Sequence, residues 1–270
     1  MATIATESIT DTAVAVQALI NRARVAQAAI EHYSQQQVDD LIRAMVWSVC
    51  QPAVAERIAR LAIDESRLGN YESKLAKMVN KTRAALADII NDRSVGVINE
   101  DTARNLIEIA KPVGVIGALS TSTHPEATPV VKAINAVKGR NAIVIAPHPR
   151  GKQTNALVCG LMRNALERMG APADLVIPIE EPTLEGTTEL MRRCDRILAT
   201  GGAPMVKAAY SSGTPALGVG VGNAVITVDE TADLVEAAEK IRISKTFDEA
   251  KALVGQPVGT VVAGVGHERG

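Results

Sequence analysis

Aromatic residues make up only 2% of this 270-residue chain: one Trp, three Tyr and one Phe. A core must therefore be built from Ala, Val, Ile and Leu, which the 47% hydrophobic content supplies. Cysteine is nearly as scarce. Cys50, Cys159 and Cys194 are odd in number and widely spaced, which excludes a disulfide framework and a CxxC metal pair. A reduced, cytoplasmic setting is the simplest expectation. No basic surplus exists, because the formal net charge is -1, so neither nucleic acid nor an anionic membrane is an expected partner. No apolar run approaches the roughly 18 residues of a membrane span. The start, MATIATESITDTAV, lacks the basic and apolar regions of a secretory signal. Four histidines, His32, His124, His148 and His267, never fall at HxxxH spacing, so no metal site is expected.

The pattern that is present changes once along the chain. Residues 11–31 are Ala-rich with apolar positions at helical spacing. Ser34 and Gln37 read as a capping box for a second helix, and Pro52 suits the first turn of a third that ends near Gly69. A fourth helix is expected from Tyr71 to Asp92. Residues 94–110 read as an extended excursion. Short apolar runs then alternate with helical patterns. The expected strands are 113–119, 141–146, 174–179, 196–200 and 223–228, and the expected helices are 126–138, 151–169, 183–193, 203–212 and 231–244. This alternation predicts an α/β fold: a Rossmann-like, doubly wound parallel sheet with an N-terminal helical layer. The boundaries are 1–93 for the helical layer, 94–110 for the extended segment, 111–248 for the α/β domain, and 249–270 for a Gly/Val-rich tail with no assigned role.

Ligands of such sheets bind beyond the carboxyl ends of the strands. After the first strand, Ser120-Thr121-Ser122-Thr123-His124-Pro125 either caps the next helix, the simpler reading, or offers hydroxyls and N–H groups to a phosphate or carboxylate. After the second, Arg150 and Lys152 either meet a phosphate at a helix start or are solvated cations on a proline-stiffened turn. After the fourth, Gly201 and Gly202 permit close approach of a backbone or ligand. The run from Gly218 to Gly222 is a second such place. Cys50 and Cys159 read as packing residues. Cys194 has Arg neighbours able to lower its pKa, although a helix-end packing role is the simpler reading.

Several words in this sequence resemble aldehyde dehydrogenases, and the CoA-acylating branch in particular. They are KPVGVI (111–116), KGRNAIVIAPHPRGK (138–152), LATGGAPMVKAAYSSGTPALGVGVGN (198–223), VDETADL (228–234) and SKTFD (244–248). The resemblance covers about residues 10–248. It implies NAD(P)-dependent oxidation of an aldehyde to an acyl-CoA, with NAD or NADP as cofactor and coenzyme A as co-substrate. A cysteine thiolate attacks the aldehyde in that chemistry. It also implies cofactor-binding roles for Pro147, His148, Pro149 and Arg150, for Thr200, Gly201 and Gly202, and for Gly218, Val219 and Gly220. Residues 94–110 resemble part of the family's oligomerisation piece, which points to a homo-oligomer.

Two departures from the family pattern stand out. His124 occupies the place of an asparagine that helps hold the developing oxyanion, where loss of a well-placed donor costs about 2.7–4 kcal/mol of barrier. After SKTFD the family continues to its nucleophilic cysteine, whereas here Asp248 leads into EAKALVGQPVGT and no cysteine follows Cys194. The expectation is a fold lacking its catalytic domain and thiol, through a frame shift or stop near Asp248. A Cys-Ser-Glu segment in another frame of the downstream DNA would bear this out, and its absence there would count against it. Three functions then compete: a dehydrogenase by descent, an inactive NAD(P)-binding or assembly module, and a non-functional fragment.

Overall fold

The computed structural model describes residues 10–220, 226–229 and 231–247. Five helical segments come first. α1 (Asp11–Ala29) starts where the Thr10 hydroxyl accepts from the Ala13 N–H. α2 (Gln35–Cys50) opens on the expected capping box, with Ser34 N donating to Gln37 Oε1 and Gln37 N to Ser34 Oγ. α3 (Pro52–Ser66) has its proline in the first turn and ends at Arg67, whose φ of 57° is left-handed. The expected fourth helix is continuous in path but not in winding: α4 (Tyr71–Ala76) passes through a π-helical stretch, Lys77–Lys81, into α5 (Thr82–Ile90).

The extended excursion is a two-stranded antiparallel hairpin, β1 (Gly96–Asp101) with β2 (Leu106–Ala110), bulged between Val97 and Asn99. Its side chains are largely exposed. A five-stranded parallel sheet follows, made of β3 (Val115–Leu119), β4 (Ala142–Ala146), β5 (Val176–Pro178), β6 (Arg196–Thr200) and β7 (Ala216–Val219). Between and after them run α6 (Thr128–Lys138), α7 (Lys152–Arg168), α8 (Leu184–Arg193), α9 (Ala203–Tyr210) and α10 (Leu234–Thr246). The strand order is β5-β4-β3-β6-β7. Successive strands build leftward from β3 to β5, and the chain then returns to the other side of β3. The junction of β3 and β6 is therefore the topological switch point, where a crevice opens.

The helices sandwich the sheet. α1 and α8 pack together on one face, while α6 and α7 lie on the other, with α2 stacked over both and α3 on α7. The N-terminal helices are thus split between the two sides of the sheet. β3 and β4 are buried along their whole length, which their unbroken apolar sequences require. The outer strand needs a correction. The fifth strand is Ala216–Val219, whereas residues 226–228 of the expected strand 223–228 are not in a strand, and 223–225 lie outside the described residues. β7 alternates half-buried and exposed positions although its sequence, ALGV, is apolar throughout. The tail 249–270 also lies outside the described residues.

The words carrying the family resemblance prove largely structural. A Cβ on Gly114 would lie 2.2 Å from the Asp195 carboxylate, and its φ is +121°, so only glycine fits. Asp195 in turn accepts from the Val115 N–H at 2.7 Å. Asn141 Oδ1 accepts from both Val113 N (2.7 Å) and Gly114 N (3.0 Å). Arg140, left-handed at φ 57°, donates to the carbonyls of Glu31 and Ala110, tying α1 and the hairpin to the sheet. Lys138, almost fully buried, ion-pairs with Asp39 of α2 at 2.6 Å and donates to the Ile90 carbonyl. Truncating Asp39→Ala strands that ammonium. A loss of about 3–5 kcal/mol of unfolding free energy is expected in urea titration. A loss below about 1 kcal/mol would mean that water reaches Lys138.

Candidate functional site

The crevice at the switch point is a cavity of about 710 Å³. Its walls come from the carboxyl ends of five strands: Ser120–His124 after β3, Pro147–Pro149 after β4, Pro182–Leu184 after β5, Thr200–Gly202 at the end of β6, and Val219 and Gly220 at the end of β7. Thr187 and Met205 complete that side, and Lys81 reaches in from the N-terminal helices. No carboxylate lines it among the described residues.

One buried amine fixes the geometry of the crevice. Lys132 on α6 runs under the sheet, and its Nζ donates to the carbonyls of Leu119 and Leu198 (2.8 Å to the latter). These carbonyls belong to β3 and β6, the two strands at the switch point. Burial pushes its pKa down to about 7. A neutral amine has two N–H groups, one for each carbonyl, so deprotonation leaves the bridge intact.

The loop after β3 does not cap α6. That helix begins at Thr128 with no side-chain cap, against the simpler sequence reading. The hydroxyls instead face the cavity or one another. Thr121 and Thr123 hydroxyls are 3.1 Å apart, and His124 Nδ1 lies 3.0 Å from Thr123 Oγ1. Ser120 Oγ is buried and has no hydrogen-bond partner. Such a hydroxyl is costly unless something completes it. His124 is mostly buried, and burial together with Lys77, Lys81 and Lys74 pushes its pKa down to about 3.

The expected cofactor residues divide. Pro147, His148, Pro149, Thr200, Gly201, Gly202, Val219 and Gly220 line the cavity. Arg150 and Gly218 do not. Arg150 is exposed and outside the wall, its N–H donating to His148 Nδ1. The phosphate reading of Arg150 and Lys152 also loses its helix start. Glu65 already occupies it, accepting from Gln153 N, Thr154 N and Thr154 Oγ1, while Lys152 pairs with Glu181. Gly218 is needed for packing, since a Cβ there would lie 2.7 Å from Val206 and 2.8 Å from Tyr210 of α9. By contrast, α9 starts at Gly202 with no side-chain cap, so its N-terminal dipole faces the crevice uncompensated by any side chain. Lys81, Thr187 and Met205 were not anticipated. They reach the crevice from helices, and nothing in their local sequence marks them.

No cysteine lines the cavity. Cys50 packs with its thiol 3.0 Å from Thr82 Oγ1. Burial pushes the Cys159 thiol up to about 12 and the Cys194 thiol up to about 11. The lowering of Cys194 by its Arg neighbours is therefore not realised: its sulfur is wedged beneath Gly117, where a Cβ would lie 2.6 Å away. Among the described residues no His, Cys, Asp and Glu group could hold a metal, and no helix is long and apolar enough to cross a membrane.

Two titrations check these environments. The His124 imidazole should stay neutral down to about pH 4 in NMR, because its folded pKa lies below its ordinary 6.5. Protonation near pH 6.5 would place it in water. For Lys132, the folded pKa of about 7 lies below the ordinary 10.5. The unfolded chain thus holds a proton that the folded chain lacks between those values. The associated stability is fully present above about pH 10.5 and is lost as pH falls toward 7. Relative to Lys132→Met, the wild-type chain should gain stability as pH rises from 7 to 10. A pH-independent difference would contradict the burial of this amine.

The chain matches the aldehyde dehydrogenase family over residues 2–250. It is 46% identical to a sulfoacetaldehyde dehydrogenase from an Acholeplasma species over 231 residues, which is 86% of this chain and 48% of that protein. Among solved structures it resembles an acetylating aldehyde dehydrogenase from Geobacillus thermoglucosidasius (TM-score 0.81, 39% identity, 88% of this chain and 52% of that one). It also resembles a propionaldehyde dehydrogenase from Rhodopseudomonas palustris with bound CoA and an acylated cysteine (TM-score 0.75, 31% identity, 86% and 53%). The chain spans about half the length of these relatives. It belongs to the aldehyde dehydrogenase family, and the members it resembles include acylating enzymes.

Proposed function

We propose that this chain holds NAD(P) for the oxidation of an aldehyde to an acyl-CoA, and that its own cysteines do not supply the nucleophile. The observation that carries this reading is the switch-point cavity. Its volume of about 710 Å³ lies in the usual range for small-molecule sites. It joins an uncapped helix start behind two glycines to a buried hydroxyl that lacks a partner. Gly201 and Gly202 let a pyrophosphate approach the start of α9, and Ser120 Oγ completes its hydrogen bonding on the bound dinucleotide. Pro147–Pro149 form the wall on the β4 side.

The bound nicotinamide supplies a hydride acceptor, and CoA accepts the acyl group in the acylating members of the family. In this chain His124 stands where an oxyanion-stabilising donor is needed. Its imidazole is neutral, and with Nδ1 accepting from the Thr123 hydroxyl the ring proton sits on Nε2, which donates to a substrate carbonyl oxygen. All three thiols are buried away from the cavity, so the chain by itself binds cofactor without turning over. Unpaired, buried cysteines also fit a reducing cytoplasmic setting. The exposed apolar face of the hairpin, with Val97, Ile107 and Ile109, suits pairing with another copy.

Calorimetric titration with NAD⁺ and then NADP⁺ is expected to give saturable one-to-one binding of at least one of them. Aldehyde and CoA should then yield no NAD(P)H. Measurable turnover would contradict the buried-thiol argument, and absence of binding by a folded sample would remove the cofactor role.

A further inference from the structure

The loop that carries His124 is held from the N-terminal helices by a lysine shut off from solvent. Lys74 on α4 is fully buried. Its ammonium donates to the Thr123 carbonyl and lies 3.9 Å from Oε2 of Glu126, whose side chain is also fully buried. The two contacts fall on either side of His124 and Pro125. Pro125 is itself buried against Gly151, where an added Cβ would lie 2.6 Å from the proline Cβ. The His124 carbonyl accepts from Thr128 N at 3.2 Å, which joins the loop to the start of α6. A buried ion pair is a costly way to hold two elements together, and well-packed apolar side chains of similar volume often do so as well or better. What the lysine adds is direction: one charged donor aimed at one carbonyl, beside one carboxylate of the same loop.

Resting on the reading of His124 as a donor to the aldehyde carbonyl, we infer that Lys74 is a positioning residue: with Glu126 it fixes the backbone on both sides of His124, so that the imidazole presents Nε2–H to the cavity. Lys74 is absent from the cavity wall and acts only through this loop. Its carbonyl partner belongs to Thr123, the residue whose hydroxyl lies 3.0 Å from His124 Nδ1. One residue thus connects the buried ammonium to the imidazole. The hydrogen bond at Nδ1 sets which ring nitrogen carries the proton, so the place of Thr123 decides whether Nε2 is a donor. Without the pair, Thr123 and His124 lose their common frame, the ring proton is shared between both nitrogens, and water reaches the ring.

The test reads the tautomer and titration of His124 by imidazole ¹⁵N NMR on the full chain. The main variant, Lys74→Met with Glu126→Gln, removes one charge of each sign, strands neither partner and leaves the net charge unchanged. Lys81→Met is the control for the electric field, because Lys81 acts on His124 electrostatically more than Lys74 does. The wild-type ring is expected to carry its proton on Nε2. In the pair variant both tautomers should appear, and the pKa should climb from about 3 toward the ordinary 6.5, further than in Lys81→Met. A folded pair variant that keeps the Nε2–H tautomer, or whose pKa rises no further than in the control, would overturn the inference. If that variant does not fold, Lys74→Met with Glu126→Leu, an apolar replacement of the pair, takes its place with the same expectation. Failure of both to fold would make the pair a support of the fold and overturn the positioning role. Calorimetry with NAD⁺ and NADP⁺ on the same samples separates this inference from the cofactor reading. Nucleotide binding with an unresponsive His124 removes the positioning role alone. A responsive His124 without nucleotide binding removes the cofactor role alone. A wild-type proton on Nδ1 removes the donor reading of His124 and the positioning role with it.

Discussion

Two strands that diverge at a switch point leave their terminal carbonyls close together over an apolar core, and something must satisfy them. Lys132 does so from below, with one amine bridging Leu119 of β3 and Leu198 of β6. This sets the separation of the loops that follow, Ser120–His124 on one side and Thr200–Gly202 on the other. Every wall of the cavity near the switch point hangs from those two strand ends. The pKa of about 7 records how little water reaches the amine. A crevice wide enough for a ligand is therefore built into the sheet rather than left to loop conformation.

Around this bridge the other polar contacts act as brackets. Asp195 and Asn141 bind the backbone entering β3. Arg140 and Lys138 fasten the sheet to α1, the hairpin and α2. Glu65 closes the start of α7. That last contact removes the start of α7, whereas the starts of α6 and α9 carry no side-chain cap at the switch point. The electrostatics of the crevice follow: a helix dipole at one side, Lys81 at another, and among the described residues no lining carboxylate. The crevice thereby offers a place for negative charge at the start of α9.

Much of the fold was legible because its signals are local. The capping box at Ser34, the proline opening α3 and the unbroken apolar runs of β3 and β4 each have a cause within a few residues. The edge strand β7 was not, since half of its positions face solvent and its glycine serves α9. The wall of the crevice was legible where it lies at strand ends, as with Pro147 and Gly201. It was misread at Arg150, whose neighbouring helix start is taken by a glutamate 85 residues earlier in the chain. Lys81 and Lys132 were invisible for the same reason: each acts across the fold, and neither stands in a local motif. The hydroxyl loop was read as a cap because caps are local, whereas its real neighbours are the cavity and a histidine.

Hydrogen exchange with and without saturating nucleotide tests the central claim most directly. The account predicts that protection on binding concentrates in peptides spanning residues 120–128, 147–151 and 200–206, the ends of β3, β4 and β6. The hairpin at 96–110 should be unchanged. Protection that leaves those three segments untouched, or falls elsewhere on the chain, would contradict a nucleotide site at the crevice that Lys132 holds in shape.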